Sequence, residues 1–388
     1  MPNSRIRNHA LSAEIDEGQI AWQRYAMPIT EHYCRQISQR DYRGKRLAVW
    51  SHIRANDIAY LLALHQAGAR VAIGACNVDS TDDAAAAYLA SKGITVLGWQ
   101  GMSLSGYEEN LRLMRGLEAE YLCDMGGELI EAYLDKVPAV IGALEATTSG
   151  LNHLRERQIP FPVFDWNSIP LKEQIENRIH VGDGLWTNFS SITGMTLFGR
   201  RVLVVGYGPV GKGIAERARA LGATVYVADL DPVRMVEARH HGNQPLPLED
   251  GLARCQIIVT ATGAVGVLGE HNLERIIPGA ILLNAGHTNR EIDTSWLNSR
   301  PHKRMRPNIE HYNLEKTHLY LLARGSLLNL AGGAGSLGMD IFDHFSAVML
   351  LGISWMFDGI PAEYSPGLQR FPRCLEQEIA NTAISLQR

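Results

Sequence analysis

Short apolar runs alternate with segments of helical periodicity along most of the chain. The clearest example starts at residues 202–205, where four consecutive aliphatic residues are typical of a strand buried on both faces of a parallel sheet. Ile214, Ala218 and Leu221 then recur at helical spacing, and residues 224–228 form a second largely apolar run. We therefore predict a strand–helix–strand unit here.

The same alternation before and after this unit predicts two separate α/β sheets. Proline and aromatic residues accumulate at 160–164, which indicates that the chain leaves the first sheet there, and a long connecting helix is predicted for 172–198. We expect the last helix to return to the first domain. Strands are predicted at 47–50, 71–73, 94–98, 121–124, 139–143, 257–260, 280–284 and 319–323, and helices at 11–40, 58–64, 108–117, 339–356 and from residue 82.

Three glycines occupy the turn between the strand at 202–205 and the helix that follows it. Gly206, Gly208 and Gly211 form the spacing GxGxxG, and Asp229 ends the next strand about twenty residues further on. The glycines permit a tight turn and a close backbone approach to a pyrophosphate, which the helix N-terminus attracts. Asp229 can accept hydrogen bonds from a ribose diol and would repel an extra phosphate. The whole arrangement predicts NAD binding more specifically than glycines alone.

Composition describes an ordinary globular protein. The chain has 388 residues, of which 46% are hydrophobic and 20% charged, so two or three domains are expected. The 37 basic and 41 acidic residues give a net charge of −4, which argues against a nucleic-acid or membrane partner. The N-terminal residues lack the apolar core of a signal peptide, and no run is expected to reach the length of a membrane helix. We expect a cytoplasmic protein.

Cysteine and histidine spacings favour neither a disulfide framework nor a metal centre. The cysteines are odd in number, at positions 34, 76, 123, 255 and 374, and no CxxC occurs. The 14 histidines match no ligand motif, so we predict no metal site.

Several motifs together resemble one enzyme family. These are ACNVDSTDDAAAA at 75–87, DMGGEL at 124–129, EATTSGL at 145–151, GYGPVGKG at 206–213, GHTNREID at 286–293 and LLNLAGGAG at 327–335. In this order they resemble S-adenosylhomocysteine hydrolase (adenosylhomocysteinase), collinearly from about residue 14 to about residue 370. The resemblance implies an α/β fold with two doubly wound Rossmann-like domains, the NAD-binding one inserted into a discontinuous substrate domain. The implied boundaries are 1–180 and 336–388 for the substrate domain and 181–335 for the NAD domain.

The family resemblance also implies a reaction. An NAD-dependent oxidation of the ribose 3′-hydroxyl acidifies the C4′ proton, a thiolate leaves C5′, water adds, and the ketone is reduced again. The implied partners are a small nucleoside or sugar-like substrate and further copies of the chain, as a dimer or tetramer. Neither nucleic acid nor membrane is implied.

Candidate site residues follow from the aligned motifs. From the residues alone, Lys172 and Glu176 could also be a surface ion pair at helical spacing, the histidines could be structural, and the two threonines could cap a helix. The catalytic candidates are Lys172, Glu176, Asn177, His52 and His287. The cofactor-binding candidates are Gly206, Gly208, Pro209, Val210, Gly211, Asp229, Thr147, Thr148, Thr262, Asn284 and Asn329. The substrate-binding candidates are Arg54, Asn56, Asp124, Met125, Ala146, Thr147 and Ser336.

The departures from the family pattern concentrate on the substrate side. Met125 replaces an aspartate that acts as acid or base, and a thioether cannot carry a proton. Ala146 replaces a glutamate that holds the ribose, while Arg54 and Asn56 replace a threonine and a glutamate that read adenine. Ser336 replaces a histidine, and Glu176 stands where aspartate is usual. The resemblance also implies a C-terminal extension, of which we expect no counterpart because the sequence stops soon after Cys374.

We expect from these departures an enzyme that keeps the redox cycle but acts on a substrate other than, or in addition to, S-adenosylhomocysteine. Arg54 favours a substrate with a carboxylate or phosphate. A genuine adenosylhomocysteinase and a non-catalytic NAD-binding regulator remain alternatives, and so does a plain dehydrogenase that releases NADH.

Overall fold

The computed structural model describes residues 4–136, 140–286, 289–331 and 338–386. The chain divides into two compact units. Unit 1 consists of Met1–Glu173 and Met339–Arg388, and unit 2 of Gln174–Gly338. Unit 1 is therefore discontinuous in sequence, and each unit has its own β-sheet.

Fifteen strands are assigned among the described residues. They are β1 (Arg46–Ser51), β2 (Arg70–Ala75), β3 (Thr95–Leu97), β4 (Tyr121–Asp124), β5 (Gly142–Glu145), β6 (Pro162–Asp165), β7 (Arg201–Val205), β8 (Thr224–Ala228), β9 (Gln244–Pro245), β10 (Ile257–Thr260), β11 (Ala280–Asn284), β12 (His302–Arg306), β13 (Ile309–Asn313), β14 (His318–Leu322) and β15 (Gly367–Arg370).

The α-helices surround these strands. They are α1 (Glu17–Ala26), α2 (Pro28–Ile37), α3 (Ile58–Gln66), α4 (Asp83–Ser91), α5 (Leu104–Arg115), α6 (Glu128–Ala132), α7 (Thr148–Leu154), α8 (Val181–Thr193), α9 (Pro209–Ala220), α10 (Pro232–His240), α11 (Leu248–Leu252), α12 (Glu270–Leu273), α13 (Thr294–Asn298), α14 (Met339–Asp358) and α15 (Arg373–Leu386). A π-helix at Leu171–His180 leads directly into α8, and 3-10 turns occur at His9–Glu14, Ala55–Asp57, Ala323–Gly325 and Leu328–Leu330.

The two sheets share one strand order. In unit 1 the order is β15-β6-β5-β4-β1-β2-β3, and each pairing is parallel. In unit 2 the order β9-β8-β7-β10-β11-β14 repeats it, and β13 and β12 extend the sheet antiparallel. Both contain the 3-2-1-4-5-6 order of a doubly wound fold, so the predicted fold class is confirmed. Ligands bind such sheets at the carboxyl ends of the strands, where the order reverses.

Three sequence predictions need correction. Residues 162–165 do not lead out of the first domain, because they form β6 between β5 and β15 and bury Val163 and Phe164. The strand predicted at 139–143 runs from Gly142 to Glu145 instead, since its register with β4 pairs Glu145 with Asp124. The helix predicted to reach residue 198 ends at Thr193, where Gly194 adopts a left-handed conformation.

Helix α14 is the apolar core helix of unit 1, as the sequence predicts. By length and composition it could cross a membrane, so the expectation that no segment approaches that length was wrong. However, 72% of its most apolar 18-residue window is buried inside the protein, as in the core helix of a globular domain. The cytoplasmic location stays a prediction.

The buried Asp343 connects helix α14, near the end of the chain, to helix α2, near its beginning. Its two carboxylate oxygens accept hydrogen bonds from the backbone N–H groups of Ile29 (2.8 Å) and Thr30 (2.7 Å). These N–H groups belong to the first turn of α2, where no intrahelical partner exists. The carboxylate therefore caps α2 from a helix more than 300 positions away in sequence.

We predict that Asp343→Ala lowers the free energy of unfolding by about 2 kcal/mol, because two buried N–H groups lose their acceptor. Asp340→Ala, on the exposed first turn of the same helix, is the matched control and should change it by less than about 0.5 kcal/mol. Urea unfolding monitored by tryptophan fluorescence measures both. Equal effects of the two substitutions would show that the cap contributes nothing.

Candidate active site

The glycine loop of unit 2 has the geometry that the sequence predicts. Gly206 turns with a φ of 95°, and a Cβ on Gly211 would lie 1.9 Å from the Gly206 carbonyl oxygen. A Cβ on Gly208 would meet no atom within 4 Å, which leaves open space where α9 begins with Pro209 and Val210. Gly211 thus serves packing, whereas Gly208 leaves room for a ligand at the positive end of α9.

Asp229 lies beside this loop at the end of β8. Its carboxylate accepts hydrogen bonds from Tyr207 N–H (2.6 Å) and Asp231 N–H (2.8 Å), which fixes its orientation. Arg234 lies 3.5 Å from Asp229 and 3.8 Å from Asp231, so two carboxylates share its charge. The edge is therefore suited to a ribose diol rather than to the extra phosphate of NADP.

Asn329 offers a second feature that a ligand could satisfy. Asn188 Nδ2 donates to the Leu328 and Asn329 carbonyl oxygens, which orients this segment. The side-chain Oδ1 of Asn329 is buried, and no hydrogen-bond donor reaches it from the described part of the chain. A buried acceptor without a partner is costly unless a ligand supplies one. Together with the space at Gly208, this acceptor shows that the residues present fit NAD.

Two other cofactor candidates are engaged within the protein. The Thr262 hydroxyl donates to Glu291 (2.8 Å) and accepts from Ala264 N–H (3.0 Å). The Asn284 amide donates to the Gly325 carbonyl oxygen (3.0 Å) and accepts from Thr260 (3.1 Å). Both side chains shape the carboxyl edge of the sheet in unit 2, and their contact with the cofactor stays a prediction.

In unit 1, His52, Cys76 and Ser80 lie close together near the carboxyl ends of β1 and β2. The Nδ1 atom of His52 is 2.7 Å from the Ser80 hydroxyl and 3.6 Å from the Cys76 sulfur. Burial raises the pKa of Cys76 well above its usual value, so this thiol stays protonated. The contact with Ser80 orients the imidazole ring of His52. Sequence reasoning did not identify Ser80, although it lies in the ACNVDSTDDAAAA motif.

Asp124 and Glu145 form a buried carboxyl pair at the ends of β4 and β5. They are cross-strand partners, and both are fully buried. Asp124 accepts from Ile130 N–H (2.8 Å), and Glu145 accepts from Thr147 N–H (2.8 Å). One oxygen of each carboxyl, Oδ1 and Oε2, has no partner among the described residues. Burial and then mutual repulsion raise the pKa of Asp124, and burial raises that of Glu145 to about 8, so the pair holds protons at neutral pH.

The altered positions 125 and 146 directly follow these two carboxyls. Met125 is 5% exposed, and its sulfur accepts a hydrogen bond from Ser51 (3.2 Å). Ala146 is 2% exposed. Neither side chain can exchange a proton, so the acid or base of this edge must come from other residues.

Thr147 and Thr148 differ in whether their hydroxyl groups can still form a hydrogen bond with a ligand. The Thr147 hydroxyl donates to Glu145 (2.7 Å) and accepts from Gly150 N–H (2.9 Å) and from Ser149 (3.2 Å). Its one proton and both lone pairs are thus used, as in a helix cap. Thr148 is exposed and accepts from Asn167 (3.0 Å), so its proton is available for a ligand.

Arg54 precedes a 3-10 turn that contains the buried Asn56 and Asp57. Asp57 accepts from Arg54 N–H (2.9 Å), and burial raises the pKa of Asp57 to about 7. Burial lowers the pKa of the Arg54 guanidinium, while the carboxylates of Asp82 and Asp57 oppose this effect. Asp82 in turn caps α4 through Ala84 and Ala85. The charge of Arg54 is therefore partly balanced by nearby carboxylates.

The catalytic candidates Lys172, Glu176 and Asn177 all lie on the π-helix. Lys172 and Glu176 are each 8% exposed, so the alternative of a surface ion pair is wrong. The Lys172 ammonium lies 4.7 Å from the centroid of the Phe345 ring, and Glu176 lies 3.6 Å from His180 Nδ1. Extended π-helices are rare and frequently occur at functional sites. His287 and Ser336 fall outside the described residues.

We predict that Gly208→Val weakens NAD binding at least tenfold, about 1.4 kcal/mol, without lowering thermal stability, because its side chain enters open space that a pyrophosphate needs. Gly211→Val should instead destabilise unit 2, since its Cβ meets the Gly206 carbonyl oxygen. Calorimetric titration of the cofactor-free protein and thermal melting measure the two effects. Unchanged affinity in the Gly208 variant would contradict this assignment.

A second prediction concerns the Glu145 proton. The pKa of this acid is about 8 in the folded state against 4.5 for the ordinary group, so the folded state retains a proton that the unfolded chain releases. Its stabilising contribution is complete below about pH 4.5 and is lost as the pH passes about 8. Glu145→Gln should therefore flatten the decline in unfolding free energy between about pH 5 and 9. Parallel curves for both proteins would refute a raised pKa.

Comparisons with known proteins agree with this geometry. Residues 179–335 match the model of S-adenosyl-L-homocysteine hydrolase, NAD binding domain, and residues 12–160 match the model of S-adenosyl-L-homocysteine hydrolase. The S-inosyl-L-homocysteine hydrolase of Methanothermobacter thermautotrophicus is 32% identical and covers 94% of this chain and 90% of its own length.

Adenosylhomocysteinases are similar to nearly the same degree. The enzyme named Adenosylhomocysteinase from Thermococcus kodakarensis is 34% identical, over 82% of this chain and 79% of its own length. The predicted NAD cofactor and the predicted family are thereby confirmed. The chain belongs to the S-adenosyl-L-homocysteine hydrolase family and is an NAD-dependent enzyme of that family.

Proposed function

We propose that the enzyme cleaves the homocysteine thioether of a nucleoside whose base is a 6-oxopurine, as in S-inosyl-L-homocysteine, in preference to adenine. The observation that carries this proposal is the donor-only guanidinium of Arg54 in the segment where the family pattern has residues that read adenine. Two of the similar proteins, from Methanothermobacter thermautotrophicus and Methanopyrus kandleri, are named S-inosyl-L-homocysteine hydrolases, which supports the choice of base.

The hydrogen-bonding capacity of the base decides between the two substrates. Adenine presents an amino group at C6, which needs an acceptor, whereas a 6-oxopurine presents O6 beside N7, both acceptors. The planar fork of an arginine matches O6 and N7 in a bidentate manner. Asn56 can donate through its amide, while the glutamate of the family pattern can only accept. Arg54 and Asn56 thus both add hydrogen-bond donors to the segment.

An anionic substrate has weaker support than the sequence suggests. Arg54 lies near the carboxyl groups of Asp57 and Asp82, which already balance part of its charge, so a substrate phosphate or carboxylate is less needed there. Protons on the Asp124–Glu145 pair also reduce the negative charge at the strand ends. A neutral base held by hydrogen bonds fits this environment better.

The chain's own residues would divide the remaining work. NAD supplies reversible oxidation of a secondary hydroxyl when bound. Lys172, buried on the π-helix, would contact the 3′-hydroxyl and assist its deprotonation by stabilising the developing negative charge on that oxygen, with Glu176 and Asn177 beside it in sequence. His52, oriented by Ser80, would return a proton to the leaving thiolate and take one from the attacking water.

A homo-oligomer, as a dimer or tetramer, and a division into a substrate-binding unit 1 and a cofactor-binding unit 2 are parts of the same proposal. Unit 2 contains the residues matched by the NAD-binding model. Unit 1 contains Arg54, His52 and the carboxyl pair.

The experiment compares S-inosylhomocysteine with S-adenosylhomocysteine on the NAD-loaded enzyme. We expect kcat/KM to favour the inosyl substrate at least tenfold, the low end of what one bidentate contact provides. Arg54→Met should remove the preference. Arg54→Lys keeps the positive charge but loses the planar guanidinium, so it should retain only part of the preference for the inosyl substrate. Arg43→Met, on the exposed surface of unit 1, is the control and should change nothing.

Other outcomes identify the alternatives. Equal or greater activity with the adenosyl substrate in the unaltered enzyme would identify a genuine adenosylhomocysteinase and overturn the choice of base. Absence of enzyme-bound NADH absorbance with every nucleoside would indicate a non-catalytic regulator. Accumulation of free NADH with turnover would indicate a dehydrogenase.

A further inference from the structure

Glu291 is a fully buried acid of unit 2 that no sequence motif assigned to a function. It follows β11 in the chain and lies against the loop that follows β10. Its carboxylate accepts hydrogen bonds from Gly263 N–H (2.6 Å), Thr262 N–H (3.0 Å) and the Thr262 hydroxyl (2.8 Å). The Glu291 side chain thus links residues 262–263 to the segment after β11 through hydrogen bonds.

The space around this carboxylate is closely fitted. A Cβ on Gly286 would lie 1.5 Å from Glu291 Oε1, so only glycine admits the acid at this place. On the other side of the loop, a Cβ on Gly206 would lie 2.6 Å from the Ala261 carbonyl oxygen. The loop that Glu291 holds therefore packs directly against the first glycine of the phosphate-binding turn.

The donors around Glu291 favour its ionised form and oppose the effect of burial. Two backbone N–H groups and one hydroxyl point at the carboxylate, and a protonated carboxyl would place a fourth hydrogen among them. Burial raises its pKa, and the hydrogen bonds from Thr262 and Gly263 oppose this shift. A hydrogen-bonded, buried carboxylate carries a negative charge that water screens poorly.

The strand order places this charge on a defined side of the cofactor edge. Asp229, which suits the adenosine ribose, follows β8 on one side of β7, and β10 lies on the other side. A dinucleotide whose pyrophosphate lies at the β7 turn extends its second half toward β10 and β11. That half contains the nicotinamide ring, which is cationic when oxidised and neutral when reduced.

We infer that Glu291 is a positioning residue for the cofactor: it holds the 261–263 loop against the glycine turn, and its charge favours the oxidised over the reduced cofactor. The inference concerns cofactor affinity alone and does not depend on which nucleoside is the substrate.

The test measures NAD+ and NADH affinities of the cofactor-free protein by calorimetric titration. Glu291→Gln keeps the shape but removes the charge, so we expect NAD+ affinity to fall about tenfold and NADH affinity less than about threefold. Thr262→Val removes one hydrogen bond and keeps the charge, so it should weaken both forms by similar factors. Glu249→Gln, an exposed acid of the same unit, is the control and should leave both affinities unchanged.

Two results would overturn the inference. A folded Glu291→Gln protein with the affinities of the unaltered protein would show that the residue positions nothing. An equal loss of both affinities would assign it a structural role without an effect of charge. If Glu291→Gln does not fold, Thr262→Val decides the positioning role, because unchanged affinities in that variant would exclude it. Substrate preference is unaffected by any of these outcomes.

Discussion

Parallel strands buried on both faces leave one edge at which polar side chains can meet a ligand, and both units of this protein are built around that constraint. The central strands carry almost only apolar residues, so their backbone groups are satisfied by neighbouring strands. Polar residues collect at the carboxyl ends of the strands: Asp124, Glu145 and Asn284 are the last residues of β4, β5 and β11, and His52 and Asp229 directly follow β1 and β8. The doubly wound order places these ends side by side where the order reverses.

Buried carboxylates are the second recurring feature, and each one accepts backbone N–H groups. Asp343 caps α2, Glu145 orients the turn before α7, and Glu291 holds the loop after β10. Burial of a charge is costly unless hydrogen bonds or protons compensate for it. Glu145 and Glu291 each accept two backbone N–H groups and the hydroxyl of one threonine, and burial raises the pKa of both. Glu145 differs in having a second buried acid, Asp124, as its cross-strand partner.

The two positions at which this chain lacks a carboxyl group of the family pattern, Met125 and Ala146, each lie next to an acid that is present. Met125 and Ala146 remove two carboxyls, but the residues just before them, Asp124 and Glu145, remain and are fully buried. The carboxyl ends of β4 and β5 therefore still carry acids. These acids are hydrogen-bonded to the backbone, and burial raises their pKa values. In the same unit, the carboxyl groups of Asp57 and Asp82 partly balance the charge of Arg54.

The sequence by itself determined the fold class, the NAD cofactor and the family, because apolar runs, glycine spacing and collinear motifs are local properties. It failed where a segment's structure depends on its neighbours: Pro162–Asp165 looks like a connection, yet β5 and β15 make it a strand. Only the tertiary structure decided that the Thr147 hydroxyl is fully used, that Arg54 has carboxylate neighbours, and that Glu291 anchors the cofactor edge. The contacts of Arg54 with Asp82 and of Glu291 with Thr262 join residues distant in sequence, which no local pattern records. The Thr147 contacts are local, but which groups its hydroxyl meets depends on the turn that the folded chain adopts there.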